Sequence, residues 1–182
     1  MEVWASDEHR SGLKPIVRKV WAFGKERPIV PVQHRYQWRY LVGFVHPASG
    51  RTVWHLASGI STAVFSAELA AFAKAVSAGP QKQIVLVLDR AGWHVSAQLQ
   101  VPEHVHLLFL PAHSPELNPA EHLWRLSDTA LVNQHFAGLE ELDEAQWARC
   151  AVLQRRRDLV QSTTCFSWWP RRIRLLQPTH PT

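Results

Sequence analysis

The amino-acid sequence predicts an α/β domain in which helices flank a mixed five-stranded sheet. Three observations predict this class. The first third of the chain is rich in β-forming residues separated by turn residues, two short apolar runs lie near the middle, and helical segments alternate with these runs. Strands that are followed by an alternation of strand and helix are typical of a mixed sheet with helices on its faces.

The N-terminal segment MEVWASDE alternates between two faces, with Val3, Ala5 and Asp7 on the same face. This period of two predicts a first strand that ends on Asp7 and is followed by a loop. Farther along, the segment YQWRYLVGFVHPASGRTVWHLASG, residues 36–59, contains two β-rich runs on either side of the turn HPASG. It predicts a β-hairpin.

The next segment predicts a helix that is capped by Ser61 or Thr62. Helix-forming residues, alanine above all, continue to about Ala78, where Gly79 and Pro80 end the helix.

Two apolar runs follow, QIVLVLD at residues 83–89 and HVHLLFLP at residues 104–111. The first is too short for a helix and rich in β-branched residues, which favours a central strand that is buried on both faces. The second predicts another strand, and a short helix is predicted between them from Ser96. Ligand sites in such sheets lie beyond the carboxyl ends of the strands.

The last third of the chain predicts two helices. Asn118 is the expected N-cap of the first, with Pro119 at its first position. The second runs from about Leu139 to Leu159. Residues 1–169 are therefore expected to form one domain, and residues 170–182 a flexible, basic, Pro-containing tail.

The composition restricts the setting of the protein more than its activity. The net charge of +5 and the pI of about 9.7 favour polyanionic partners. Two cysteines form no disulfide framework, no apolar run reaches the length of a membrane span, and the N-terminal residues lack the pattern of a signal peptide. A cytoplasmic protein is therefore expected.

Three acidic residues occupy places where strand ends and a helix start could converge: Asp7, Asp89 and Glu121. Two carboxylates about 4 Å apart repel by roughly 4 kcal/mol at an effective dielectric near 20, so three such groups would take up protons or bind a divalent ion. Oxygen ligands favour Mg²⁺ or Mn²⁺, and two such ions can assist a phosphoryl displacement.

Simpler interpretations of these acids stand beside the catalytic one. Glu8, next to Asp7, is an alternative first ligand. Glu121 could serve only to complement the positive end of its helix, an effect of about 0.3–1 kcal/mol. Glu116 is interpreted as part of the turn structure before that helix.

Two segments around these acids resemble a known family. IVLVLDRAGWH followed by VHLLFLPAHSPELNPAEHLW is similar to the DDE transposases of bacterial insertion sequences related to mariner, and SPELNPAEHLW is the most specific match. The segments SDE, VWAFGKERP and RYLVGFVHPASG fall in the order of that family, and VQSTTCFSWW resembles its C-terminal end. The resemblance covers about residues 3 to 169.

The resemblance implies a ribonuclease H-like catalytic domain. Matching motif to motif makes Asp7, Asp89 and Glu121 the catalytic acids and the ligands of two Mg²⁺ or Mn²⁺ ions. Water activated at this site would cut DNA at the end of the element, and the freed 3′-hydroxyl would attack target DNA. Members of the family act as dimers or larger complexes on DNA, so self-association is expected.

The sequence departs from the family pattern in three places. The gap between Asp89 and Glu121 is a few residues shorter than usual, and the helix after Glu121 lacks the usual basic character. Helix-turn-helix modules do not precede Asp7, so recognition of the element ends is expected to need an upstream partner, as in a second reading frame joined by frameshifting. A truncated relic is the alternative.

Several basic residues are candidate nucleic-acid contacts. Arg90 could bind phosphate, with a surface salt bridge as the alternative, while His94 and His113 lie just beyond predicted strand ends and could contact the scissile phosphate or water. A zinc site is not predicted, because the histidines lack the H-E-x-x-H spacing and cysteine pairing. Phosphate contact and a solvated helix face are equally consistent with the cluster Arg155, Arg156 and Arg157.

Three functions are therefore open. The main hypothesis is a metal-dependent DNA endonuclease and strand transferase of an insertion sequence. A structure-specific nuclease of the same fold is the second, and a non-catalytic, regulatory DNA-binding fragment is the third.

Overall fold

The computed structural model describes residues 1–24, 29, 31–32 and 35–170. Of the predicted tail at residues 170–182, residues 171–182 lie outside this described part. Five strands form one mixed sheet in the order β3-β2-β1-β4-β5. The strands are β1 (Glu2–Gly12), β2 (Trp38–His46), β3 (Arg51–Ala57), β4 (Ile84–Leu88) and β5 (Val105–Phe109).

The sheet changes from antiparallel to parallel at β1. Strands β1, β2 and β3 pair as antiparallel neighbours, whereas β4 pairs parallel to both β1 and β5. The predicted hairpin and the two predicted apolar strands are thus confirmed. The helices are α1 (Thr62–Ala75), α2 (Glu121–Ser127), α3 (Leu139–Arg155) and α4 (Arg157–Thr164).

The strand alternation divides the core between the two faces of the sheet. Leu86 and Leu88 of β4 pack with α1 on one face, where Phe65 and Trp4 are also fully buried. Val87 packs on the opposite face, in a cluster that α2, α3 and α4 close with side chains such as Leu123, Leu153 and Val160. Helices on both faces explain why β4 is continuously apolar.

The first strand is longer than predicted. It does not end at Asp7 but continues to Gly12, because its pairing with β2 extends from Ala5 opposite Val45 to Gly12 opposite Trp38. Ladder hydrogen bonds are made by the backbone, so polar residues such as those after Asp7 do not end a strand that has a partner. The loop predicted to follow Asp7 is therefore wrong over its first residues.

Helix boundaries also differ from the predictions. Helix α1 has the expected cap at Ser61 but ends at Ala75. No helix starts at Ser96, because residues 97–98 form a single turn, which is too short to nucleate a helix. The predicted final helix is two helices, because the chain breaks at Arg156 and α4 turns so that Val160 reaches the core. Among the described residues, no helix has the length and apolarity needed to cross a membrane.

Candidate active site

The parallel pairing of β1 with β4 brings two of the predicted acids to one level of the sheet. Ala5 lies opposite Val87, and continuing this register by two residues places Asp7 beside Asp89. Strand β4 has ended at that level, whereas β1 continues. Asp7 therefore lies inside a strand, next to the carboxyl end of its parallel neighbour.

Asp7 lies in an environment that disfavours its ionised form. Burial and then the negative charge of Glu121 raise the pKa of Asp7 to about 8, although a hydrogen bond from Trp124 lowers it. That bond runs from Trp124 Nε1 to Asp7 Oδ2 over 2.8 Å. The charge of Glu121 therefore acts on the Asp7 carboxyl group, and the two groups repel each other when both are ionised.

Gly43 makes room for the indole that binds Asp7. Gly43 lies directly opposite Asp7 in the β1–β2 ladder, and a Cβ atom on it would come within 2.9 Å of the Trp124 ring. The ring also stacks on His9, with centroids 5.0 Å apart, and meets Trp54 edge to face at 6.3 Å. These contacts fix the Trp124 N–H toward Asp7.

Asn118 joins the start of α2 to the strand that carries Asp7. The buried Asn118 donates from Nδ2 to the backbone oxygen of Ser6 over 3.1 Å and accepts from Ala120 N–H over 3.1 Å. The predicted cap is therefore made, but on a turn, and the α-helix itself begins at Glu121. Glu121 lies in its first turn, as predicted.

Asp89 follows the last residue of β4 and has its side chain held by two donors. The backbone N–H of Ala91 and Nδ1 of His94 both reach Asp89 Oδ1, over 3.0 and 2.8 Å. The hydrogen bond from His94 is the main reason why the pKa of Asp89 is lowered. The surroundings of Asp89 therefore favour its ionised form, whereas those of Asp7 disfavour it.

His94 is a buried histidine that lies between two acids. Its other ring nitrogen, Nε2, lies 3.0 Å from Glu8 Oε1. Burial acts to lower the pKa of His94, but the hydrogen bonds to Asp89 and Glu8 together with their charges raise it to about 9. With 2% of its surface exposed, His94 is engaged inside the protein. This placement does not support the predicted contact of His94 with phosphate or water.

Adjacent residues of β1 thus serve opposite faces of the sheet. Asp7 faces Trp124 and Glu121, and Glu8 faces His94 on the α1 side. The geometry favours Asp7 over Glu8 as the partner of Glu121.

A cleft of about 350 Å³ opens at the carboxyl end of β4. Asp89 and Glu121 both line it, with Arg90 and His113 beside them. Its remaining lining is Ala91, Leu110, Pro111, Ala112, Ser114, Pro115 and Asn118. A cleft at this place in the sheet is where an α/β fold binds ligands.

The two basic residues at the cleft differ in how they are held. Arg90 donates from Nε to the backbone oxygen of Leu110 over 3.2 Å, and its guanidinium lies 5.9 Å from the centre of the Phe109 ring. His113 adopts a left-handed backbone with φ of 58°, a conformation that costs energy outside glycine and recurs at binding sites.

The carboxylate oxygens of these acids are ligands that suit a hard cation, although the side chains are not arranged as a metal site. Among residues 1–24, 29, 31–32 and 35–170, no three His, Cys, Asp or Glu side chains are close enough together to hold an ion. The mutual repulsion of Asp7 and Glu121 is the observation that fits a divalent ion, because bound positive charge would relieve it.

The predicted arginine cluster lies away from the cleft. Arg157 lines a second cavity with Arg51 and Lys82, at the amino end of β4, and Arg156 pairs with Asp158 over 3.3 Å. Arg155 is the last residue of α3. The fold does not bring these arginines to Asp7, Asp89 and Glu121.

The comparison with known families identifies the chain. Residues 2–143 match the family described as DDE superfamily endonuclease. The chain belongs to this family. The endonuclease domain is also 37% identical over 106 residues to the uncharacterized protein y4pE/y4sA of Sinorhizobium fredii (strain NBRC 101917 / NGR234), an alignment that covers 58% of this chain and 77% of that protein.

Solved structures of the Mos1 mariner transposase share the fold of this DDE endonuclease domain. The Mos1 paired-end complex with Mn superposes with a TM-score of 0.61 at 16% identity over 90% of this chain. The complex with Mg gives 0.59 at 19% identity over 90% of this chain, and the strand transfer complex gives 0.57 at 15% identity over 92%. The chain spans 56%, 55% and 56% of the length of these Mos1 chains. The predicted ribonuclease H-like fold and the predicted family are confirmed.

Proposed function

We propose that this DDE endonuclease domain is the catalytic domain of an insertion-sequence transposase, which cleaves DNA and joins the freed 3′ end to a target with the help of divalent metal ions. The repulsion between Asp7 and Glu121, beside a cleft that Asp89 shares with Glu121, is the observation that carries the proposal. The Mos1 structures are paired-end complexes with Mn and with Mg and a strand transfer complex, which supports the same chemistry for this chain.

The ions would be held by Asp7, Asp89 and Glu121. Mg²⁺ or Mn²⁺ bound there would stabilise negative charge on the attacking and leaving oxygens of a phosphoryl transfer. In the cleavage step a water oxygen forms a bond to phosphorus and the 3′-oxygen of the DNA leaves. In the joining step that 3′-hydroxyl attacks a phosphodiester of the target and displaces another 3′-oxygen.

Other residues of the chain would place the acids and the DNA. Trp124 and Asn118 fix Asp7 and the start of α2 relative to each other. Arg90 and His113 line the cleft and would contact the phosphates that flank the scissile bond. DNA ends and a second copy of the chain are the partners we propose, in line with the paired-end complexes of Mos1.

The test is nicking of supercoiled plasmid and joining of a pre-cut duplex with a free 3′-hydroxyl, each in Mg²⁺, in Mn²⁺ and in EDTA. Both products should depend on the metal. Glu121→Gln should reduce them by about 10³-fold or more, which corresponds to about 4 kcal/mol of transition-state stabilisation. Glu116→Gln is the matched control, since Glu116 belongs to the preceding 3₁₀ turn, and should act like wild type.

The outcomes distinguish between the three functions that the sequence analysis left open. Nicking that Glu121→Gln leaves unchanged refutes the catalytic assignment. Metal-dependent nicking without joining indicates a nuclease of the same fold. Binding of DNA that weakens steeply with salt, without any product in Mn²⁺, indicates a non-catalytic DNA-binding fragment.

A further inference from the structure

The orientation of Asp89 is set by contacts outside the sheet ladder. Asp89 follows β4, and its side chain is 55% exposed, so packing does not hold it. Both hydrogen bonds to its carboxylate, from Ala91 N–H and from His94 Nδ1, go to Oδ1. These donors therefore set the rotamer of Asp89, and neither of them binds Oδ2.

His94 has no freedom to turn away from Asp89. Its side chain is 1% exposed, and its ring packs on Phe65 with centroids 4.3 Å apart. Nε2 donates to Glu8 Oε1 at the opposite side of the ring, over 3.0 Å. An imidazole that is held at both nitrogens and on one face keeps one orientation.

Glu8 is in turn fixed by Trp93. Trp93 Nε1 lies 3.1 Å from Glu8 Oε2 and also 3.1 Å from His94 Nε2. The Trp93 N–H donates to Glu8 Oε2 and so holds the carboxyl group of Glu8 from a second side. The Glu8 side chain is only 5% exposed.

A buried acid and histidine are a costly way to pack this face of the sheet. The neighbours on the face, among them Phe65 and Leu88, are apolar. Replacing a buried ion pair by apolar residues of similar volume often leaves stability unchanged or raises it. Stability alone therefore does not account for a buried Glu8 and His94. The hydrogen bond from His94 to Asp89, which connects the pair to the cleft, does account for them.

We propose that Glu8 and His94 are positioning residues, which hold Asp89 by Oδ1 and keep Oδ2 available to a divalent ion in the cleft. This inference rests on the proposed function, since it assumes that Asp89 is a ligand. It assigns two adjacent residues of β1 to the same site by different routes, Asp7 directly and Glu8 through His94.

Two substitutions of His94 separate this role from a purely structural one. The side-chain amide of Asn can replace the Nδ1 donor toward Asp89, whereas that of Gln reaches the Nε2 position toward Glu8. Both variants lose the imidazole packing on Phe65 and the ion pair with Glu8, so their effects on folding should be similar. Only His94→Asn keeps the bond that orients Asp89.

The measurement is titration calorimetry of the full chain with Mn²⁺, with thermal unfolding to verify folding. We expect His94→Gln to weaken Mn²⁺ binding by about 10–100-fold, the usual effect of losing a residue that orients a metal ligand, and His94→Asn to bind within about threefold of wild type. Metal-dependent nicking should follow the same order.

Two variants of Glu8 keep the test decisive if the histidine substitutions unfold the protein. Glu8→Gln retains an oxygen acceptor for His94 and should lose less Mn²⁺ affinity than Glu8→Leu, which removes it. Equal Mn²⁺ binding by folded His94→Gln and His94→Asn, or by both Glu8 variants, overturns the positioning role while the proposed function stands. A wild-type chain that does not bind Mn²⁺ at all overturns both.

Discussion

Strand β1 places two acidic side chains in opposite electrostatic surroundings, Glu2 beside the amino end of β4 and Asp7 beside its carboxyl end. At the amino end, Glu2 pairs with Arg51 over 2.5 Å and with Lys82 over 3.4 Å. Beside the carboxyl end of β4, Asp7 faces the like charge of Glu121. The same sheet therefore pairs Glu2 with two cations, whereas it holds Asp7 near another acid, Glu121.

The pKa values express the difference. Burial acts to raise the pKa of Glu2, but hydrogen bonds from Trp4 and Arg51 and the charges of Arg51 and Lys82 lower it overall. Burial and Glu121 raise the pKa of Asp7 to about 8. An acid that only stabilises the fold is given its counterions by the chain itself. Acids that the fold holds together without counterions indicate a site where a ligand supplies the charge.

The largest effect should come from metal binding at the carboxyl end. Mn²⁺ at a hundred times its dissociation constant should stabilise the wild-type chain by about 2.7 kcal/mol, seen as a rise in the unfolding midpoint. Asp7→Asn should lose most of this rise. Glu2→Gln, at the amino end of β1, should keep the rise, and an equal loss of the rise in both variants would contradict the assignment.

The packing of Trp124 against Gly43 should give the next largest effect on stability. Gly43→Ala places a methyl group within 2.9 Å of the Trp124 ring, so the ring must shift. Overpacking of this kind should lower the free energy of unfolding by about 1–3 kcal/mol in urea titrations. Gly59→Ala is the control, because a Cβ there meets no atom within 4 Å. If Gly43→Ala is as stable as this control, Trp124 does not pack closely against Gly43 in the folded protein.

The stability of Asp7→Asn should depend on pH in a defined direction. The pKa of Asp7 is about 8 in the folded chain, against about 3.9 in an unfolded one. The folded state therefore holds more protons between these values, and wild-type stability falls as pH rises through this window. In metal-free buffer Asp7→Asn should exceed wild type by about 1–2 kcal/mol near pH 8 and by little near pH 4. A variant that is less stable near pH 8 would contradict the repulsion.

Glu2→Gln should show the smaller and opposite effect. Because the pKa of Glu2 is lowered in the folded state, its contribution is present above the unfolded pKa and is lost as pH falls through the folded pKa. Because Glu2 is partly exposed, Glu2→Gln should lower the free energy of unfolding at pH 7 by only about 0.5–1 kcal/mol, and this effect should shrink in high salt. A gain in stability at pH 7 would remove the contrast between the two ends.

The sequence predicted the parts of the site that depend on local signals. The continuous apolar run ending at Asp89 has the pattern of a buried strand, and β4 is that strand. Asn118 and Pro119 predicted the start of a helix that carries Glu121 in its first turn, and the structure places Glu121 there. Neighbours within a few residues decide these features, so they can be recognised without knowledge of the fold.

The same local signals failed where long-range pairing decides the outcome. The polar residues after Asp7 suggested a loop, but β2 continues the ladder to Gly12. Trp124 was not recognised as the partner of Asp7, although its place one helical turn after Glu121 was a signal that the two side chains share a face. The sequence also gave no sign that His94 is buried against Phe65.

The sequence by itself determined which segments become strands and helices and which acids lie at their ends, because side-chain periodicity and turn residues act over one or two turns of backbone. Only the tertiary structure decided how those acids are used. Asp7 rather than Glu8 meets Glu121 because the sheet register sends adjacent side chains to opposite faces. The bonds that hold Asp7 and Glu8 join residues 117 and 86 positions apart, and such pairings exist only after the sheet and helices have packed.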